Sequence, residues 1–198
     1  MKPIAGDLLK ENVALSTNDE NFIIENIDVI IHGAASVDFN SRLDEAININ
    51  IMGTLRMYAL SKKCKKLQNF LHISTAYVNS DQKSGWIDEE IYPIEADPEK
   101  VLEGLMKMPV EELVSNTQNI LGRYPNTYTF TKSLVERIIN KEKGKYCVTI
   151  LRPSIIGSAW KEPLIGWVDT VSAAGALYLL GGDFSFILYF ILIYFTLY

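Results

Sequence analysis

The sequence predicts an α/β fold, a doubly wound parallel sheet, and three observations predict it. Short apolar runs alternate with longer runs of helical periodicity, and strands alternating with helices require crossovers and hence parallel pairing. The apolar runs are nearly continuous rather than alternating, as in strands buried on both faces. Each run ends in small or hydroxyl-bearing residues: "GD" at Gly6-Asp7, "HGAAS" at His32 to Ser36, "STAY" at Ser74 to Tyr77 and "RPSIIGS" at Arg152 to Ser158. In open α/β sheets ligands bind at the carboxyl ends of the strands, and small residues there let a backbone approach a flat ligand closely.

Taken in order, "KPIAGD" reads as the end of a strand and "DENFIIENI" as a short helix. "IDVIIHGAA", Ile27 to Ala35, reads as a buried strand. "RLDEAININIMGTLRMYALSKKC" has helical periodicity, with Ile47, Ile51, Leu55 and Tyr58 or Ala59 on one side. "NFLHIS", Asn69 to Ser74, is a second buried strand. The acidic, Pro-containing stretch at about 81–125 holds helical segments and no strong strand. It reads either as a lid over the top edge of the sheet or as a solvated excursion. "SLVERIINKEK" is helical, and "YCVTILRP" is a third strand, stopped by Pro153. Residues 1–183 are thus expected to form the α/β domain, with the helical insertion inside it.

Residues 184–198, "FSFILYFILIYFTLY", carry no charge. As a helix they would span roughly 22 Å, short of a ~30 Å hydrocarbon core. A membrane-contacting tail, a buried strand and sequence foreign to the domain remain open for them.

Composition narrows the function. The chain has 198 residues, 48% of them hydrophobic, enough for one sizeable core. Net charge is −5, so no basic face for nucleic acid is expected. The one basic cluster, "SKKCKK", falls where a helix should end and reads as a solvated last turn. Cys64 and Cys147 lack zinc spacing, as do His32 and His72, so no metal is expected, and a reduced, intracellular protein is the simplest reading. The start has no apolar signal-peptide core.

Two Tyr-x-x-x-Lys pairs occur, Tyr58/Lys62 and Tyr128/Lys132. Ten Tyr and fourteen Lys give roughly 0.7 such pairs by chance, so position must separate them. Tyr58 and Lys62 fall late in a helix, far from the strand ends. Tyr128 and Lys132 follow the "STAY" strand and open a helix, where residues i and i+4 share a face. A free Tyr, with pKa about 10, is a poor acid at neutral pH. A neighbouring ammonium would lower that value, and a strand-end hydroxyl, Thr75 or Ser74, could hold a substrate carbonyl oxygen while Tyr128 donates its proton.

"GDL", "VIIHGAASVDF", "NINIMGT", "HISTAYVN" and "YTFTK" occur in the order of an extended short-chain dehydrogenase/reductase. "FLHISTAYVN", "YPNTYTFTKSLVE" and above all "LRPSIIGSAWKEPLIGWVD", Leu151 to Asp169, resemble the alcohol-forming fatty acyl-CoA reductases, over roughly Pro3 to Gly175. The resemblance implies a Rossmann-like, NAD(P)-binding sheet that reduces a long-chain acyl-CoA to a fatty alcohol through a bound aldehyde. It implies NADPH as cofactor and a peroxisomal or endoplasmic reticulum membrane location. It places Asp7 and Leu8 near the adenine. Gly33, Ala34 and Ala35 would lie along the pyrophosphate and ribose, and Asn50 would support the site. Thr75, or Ser74, orients the carbonyl. Tyr128 donates the proton, Lys132 partners it and bonds the nicotinamide ribose, and Pro153, Ser154, Ile155 and Ile156 pass the nicotinamide. Plain structural roles compete: a turn at Asp7, close packing at "HGAAS", an internal helix bond at Asn50, a strand-end cap at Thr75.

The sequence departs from that family at both ends. It has no Gly-x-x-Gly-x-x-Gly turn for the pyrophosphate. The chain is therefore expected to begin at about the third strand of the fold, to lack the first β-α-β unit, and to bind cofactor and turn over poorly. Past Gly175 it leaves the family's pattern, as a truncated or read-through reading frame would. Two alternatives remain: a related reductase or epimerase with a non-acyl substrate, and a non-catalytic fragment associated with a membrane or a partner.

Overall fold

The three apolar runs pair into one parallel sheet. β1 (Val29–His32), β2 (Asn69–Ile73) and β3 (Cys147–Leu151) lie in the order β1-β2-β3. Val29 stands opposite Asn69, and Asn69 opposite Cys147. The computed structural model describes residues 2–142 and 146–168. Residues 184–198 therefore lie outside the described part. The described residues form two compact units: residues 2–83 with 87–142 and 146–152, and residues 84–86 with 153–168.

In the first unit, Ser16 caps α1 (Thr17–Asn26), its Oγ accepting the Asp19 N–H at 3.1 Å. The predicted long helix is continuous but changes pitch: α2 (Leu43–Ala46), a π-helical turn (Ile47–Met52) and α3 (Gly53–Lys63). The acids of α1 meet the basic end of α3, through Lys63–Glu20 at 2.8 Å and Lys65–Glu25 at 2.5 Å. With Lys62, which pairs with Glu142, three of the four lysines of "SKKCKK" are paired within the fold. Between β2 and the last helix run α4 (Pro98–Lys107), α5 (Val110–Ser115) and α6 (Thr117–Leu121), then α7 (Thr127–Lys141) returns to β3. Leu102, Leu105, Leu113 and Leu121 are buried in the main core, so the insertion is part of the packed body rather than a solvated excursion.

The core lies on one face of the sheet. Ile30, His32, Phe70 and His72 point into it and meet Tyr58 of α3 and Leu134, Val135 and Ile138 of α7. The other face is open among the described residues: Ile31 is 69% exposed, and Val29 and Leu151 are exposed too. Strands expected to be buried on both sides are covered on one, because the described helices pack on a single side.

"KPIAGD" differs from its expected strand. Its residues join no ladder. The Asp7 N–H donates to Val13 O at 2.8 Å, and a Cβ on Gly6 would lie 3.2 Å from that same oxygen. The segment folds back on its own loop instead of pairing with β1.

In the second unit, the segment after Pro153 makes a small turn. The Ala159 N–H donates to Trp167 O and the Gly166 N–H to Ala159 O, each at 2.9 Å. Gly166 has φ +80°, a left-handed value that suits glycine.

Phe70 is fully buried at the sheet centre, with the Tyr58 ring edge-on at 5.3 Å. Phe70→Ala should cost about 3–5 kcal/mol, read as a lowered midpoint in urea unfolding. An unchanged midpoint would mean that this face is not the core.

Candidate active site

The site forms where β2 ends against the first turns of α7. Asn126 caps α7, its Oδ1 accepting the Thr129 N–H at 2.9 Å, which fixes the register of the helix and puts Tyr128 in its first turn. Lys132 follows one turn later on the same face. Its side chain is buried, and Nζ donates to Ile73 O at 2.8 Å. Ser74 and Thr75 leave the strand immediately beyond. The Ser74 N–H is held by Leu151 O at 2.7 Å. Thr75 is buried, and its hydroxyl is near enough to Tyr128 to act on the Tyr128 pKa. Thr75 Oγ1 accepts the Tyr77 N–H at 3.3 Å, so it caps the turn beside the tyrosine. Ser74 Oγ is buried without a partner.

Asn50 supports the site from the π-helical turn. Its Oδ1 accepts the Ser36 N–H at 2.9 Å, and its Nδ2 donates to Ser36 O and to Thr131 Oγ1, each at 3.2 Å. This one side chain ties the loop carrying Gly33, Ala34 and Ala35 to α7. A π turn inside an α-helix often marks a functional position, and here it carries Asn50. A Cβ built on Gly33 would meet only Ile73 Cγ1, at 3.6 Å, so this strand end is sterically open.

The other sequence candidates have contacts of their own. Asp7 Oδ1 accepts the Leu9 N–H at 2.8 Å, closing a turn. Leu8 O accepts Arg56 Nη1 at 2.8 Å, and Leu8 lies so close to Gly53 that a Cβ there would approach it to 3.3 Å. Leu8 thus docks on the start of α3, while Asp7 bonds within its own loop. Pro153, Ser154, Ile155 and Ile156 belong to the second unit, where Ile155 and Ile156 are exposed.

The other Tyr/Lys pair is structural. The Tyr58 hydroxyl donates to Glu142 O at 2.6 Å, and Lys62 lies over the Tyr58 ring at 4.6 Å and pairs with Glu142.

Burial sets the protonation states. It raises the Tyr128 pKa above its ordinary value, with Thr75 acting the other way. The lowering expected from the Lys132 ammonium is not what the structure gives, because that ammonium is turned to Ile73 O. Tyr128 is held as the neutral phenol, the state of a proton donor. Burial pushes Lys132 down to about 8, with Glu136 opposing. Behind Lys132, the His32 and His72 rings stack at 5.6 Å, and the His32 Nε2 and Thr54 Oγ1 share a 2.9 Å bond. Burial and then the Lys132 charge lower His32 to about 4 and His72 to about 2. Among the described residues no three His, Cys, Asp or Glu gather to hold a metal, and no helix is long and apolar enough to cross a membrane.

Sequence reasoning missed four contributors. Thr131 is the bond partner of Asn50, and the Phe39 ring stands 5.5 Å from that of Tyr128. Glu136 and Arg152 pair at 2.6 Å. Glu136 was legible as the third step of the i, i+4 series from Tyr128 through Lys132; the other three had no signal in spacing.

The male sterility protein family of NAD-binding domains matches residues 1–183. Fatty acyl-CoA reductase 1 of Xenopus laevis is 38% identical over 179 residues, 90% of this chain and 34% of that protein. Fatty acyl-CoA reductase 1 of Homo sapiens is 37% identical over the same shares. Fatty acyl-CoA reductase 2 of Mus musculus is 35% identical over 92% of this chain and 35% of its own. The chain spans about a third of the length of these relatives. Among solved structures, the terminal R domain of the myxalamid PKS-NRPS pathway superposes with a TM-score of 0.58 at 22% identity, over 79% of this chain and 33% of that one. A thiolation-reductase di-domain of an archaeal non-ribosomal peptide synthetase gives 0.56 at 19%, over 91% and 41%. Both bear out the Rossmann-like α/β fold. The cofactor class is a nicotinamide dinucleotide.

The two histidines make stability pH-dependent. In the unfolded chain both titrate near 6.5; the folded chain keeps them neutral to about 4 and about 2. Above their unfolded pKa neither costs anything. As pH falls below it, the unfolded state takes protons that the fold refuses, and each histidine removes up to about 1.4 kcal/mol per pH unit. Urea midpoints should therefore drop between about pH 7 and about pH 5, and His72→Leu should make that drop shallower. An unaltered slope in the variant would mean that His72 charges inside the fold.

Proposed function

The chain belongs to the male sterility family of NAD-binding domains, and we propose that it carries the catalytic half of an NADPH-dependent reductase converting long-chain fatty acyl-CoA to fatty alcohol. The observation behind this reading is the chain of contacts from Thr75 through Tyr128 to the face of α7 that holds buried Lys132, all at the carboxyl end of β2. The named relatives are fatty acyl-CoA reductases, and "LRPSIIGSAWKEPLIGWVD" favours an acyl substrate over a sugar nucleotide.

The residues fit the nicotinamide end of the cofactor. Ser74 Oγ is a buried polar atom in need of a partner, Gly33 leaves room for a flat ring, and Lys132 has donor hydrogens beyond the one given to Ile73 O. Lys132 and Tyr128 would hold the nicotinamide ribose, and Gly33, Ala34 and Ala35 the span toward the pyrophosphate. Asp7 and Leu8 would face the adenine, with Pro153, Ser154, Ile155 and Ile156 near the nicotinamide. NADPH would supply the hydride for both reductions.

The protein's own work is on the substrate oxygen. Thr75 donates a hydrogen bond to the thioester carbonyl and orients it. As the carbonyl carbon is reduced, negative charge gathers on that oxygen and Tyr128 gives it a proton. Lys132, fixed on Ile73 O, holds a positive charge beside the phenolate that remains. The resulting hemithioacetal loses coenzyme A as its thiol, leaving an aldehyde. A second reduction at the same site, with a second proton through Tyr128, gives the alcohol. The same reading puts the protein at a peroxisomal or endoplasmic reticulum membrane.

The test uses the polypeptide as its source produces it, purified and its intact mass recorded. Given palmitoyl-CoA, it should form hexadecanol with NADPH and more slowly with NADH. Tyr128→Phe should lower kcat/KM by ~10²-fold or more, and Thr75→Ala by ~10²-fold. Alcohol formation that survives Tyr128→Phe, or its absence in the native protein, would overturn the reading.

A further inference from the structure

Among the described residues Glu136 is the most enclosed acid, and the catalytic geometry above does not use it. It lies on α7 four residues beyond Lys132, as Lys132 lies four beyond Tyr128, so the three share one helical face. Its side chain is 1% exposed. Arg152, just past the end of β3, grips it with two bonds, Nε to Oε1 at 3.1 Å and Nη2 to Oε2 at 2.6 Å. Arg152 Nη1 is itself anchored on Glu90 O at 2.9 Å.

Buried ion pairs are weak stabilisers, since desolvation offsets most of their attraction. An apolar pair of the same volume would serve packing as well. The location suggests another use. Lys132 is buried against the sheet, and the groups facing it are few: His32 from β1 and His72 from β2, both neutral, and Tyr128 and Glu136 from its own helix. Glu136 is the one acid in this set. We propose that Glu136 is a positioning residue for the reaction: its carboxylate, clamped by Arg152 one helical turn from Lys132, keeps Lys132 protonated. Arg152 fixes the place of the Glu136 carboxylate, and that carboxylate fixes the charge of Lys132. Burial acts against the Lys132 ammonium and Glu136 acts for it, consistent with that order.

The meaning of this for catalysis rests on the reductase reading, but the test reads Lys132 directly. Lysine labelled with carbon-13 at Cε gives each lysine its own NMR titration, and the Lys132 signal is the one lost in Lys132→Arg. Glu136→Gln should move the Lys132 midpoint down by about one pH unit or more. Glu136→Asp, which disturbs the geometry but keeps the charge, should restore most of it. A purely structural role would treat Gln and Asp alike. Should Glu136→Gln fail to fold, the double change Glu136→Gln with Arg152→Gln replaces the ion pair by two amides. It should also lower the midpoint, by less, because the more distant positive charge is removed as well. A Lys132 midpoint unchanged in whichever of these variants folds would overturn the inference. An active Tyr128→Phe would sink the reductase reading and leave the titration standing.

Discussion

A hydrogen bond from Lys132 Nζ to Ile73 O, 2.8 Å long, joins α7 to the end of β2, and the rest of the site is arranged around it. A buried ammonium is costly unless its donors are used. The sheet offers a carbonyl at the place where the β2 ladder ends. That bond sets the height of α7 along the sheet and so places Tyr128 one turn nearer the helix start. It also forces the surroundings to be selective about charge. His32 and His72 lie behind the amine and must remain neutral, and the acid that faces it is itself gripped by an arginine.

Two further devices hold the same geometry from other directions. The Asn126 cap fixes where α7 begins, so the helix cannot slip relative to Lys132. The π-helical turn carries Asn50, whose amide spans two elements that share no sequence proximity: the loop after β1 and Thr131 on α7. An α-helix of regular pitch would rotate that side chain by part of a turn. Holding the loop after β1 and the hydroxyls after β2 on one helix is what turns two strand ends into a site.

Much of this was legible because the code is local. β2 reads as a strand from "NFLHI" alone, and α7 as a helix that Tyr128 and Lys132 open. The failures are non-local. "KPIAGD" has strand-like composition, but a strand exists only with a partner, and this segment finds Val13 instead. One-sided burial of the sheet was invisible too, since Ile31 is as apolar as Ile30 and a single exposure separates them. The Arg152 contact with Glu136 needed the third strand to be placed before it could be seen. Glu136 could have been noticed by extending the Tyr128 and Lys132 spacing one step.

The two Tyr-x-x-x-Lys pairs show why spacing underdetermines chemistry. Both are set on helices, both keep the lysine one turn beyond the tyrosine, and both tyrosines lose much of their surface to the fold. They differ in which end of the helix they occupy. Tyr58 and Lys62 close α3, where the free carbonyls and partial negative charge of a helix C-terminus gather basic side chains. There Lys62 meets Glu142, and the Tyr58 hydroxyl is consumed by a backbone oxygen. Tyr128 and Lys132 open α7, beside the carboxyl ends of parallel strands. The hydroxyl lies near Thr75 and the ammonium is held by Ile73 O, and both keep further hydrogen-bonding capacity. In a parallel α/β sheet the starts of the helices and the ends of the strands lie at the same edge. A reactive pair at a helix start therefore faces the ligand edge, and an identical pair at a helix end faces away from it.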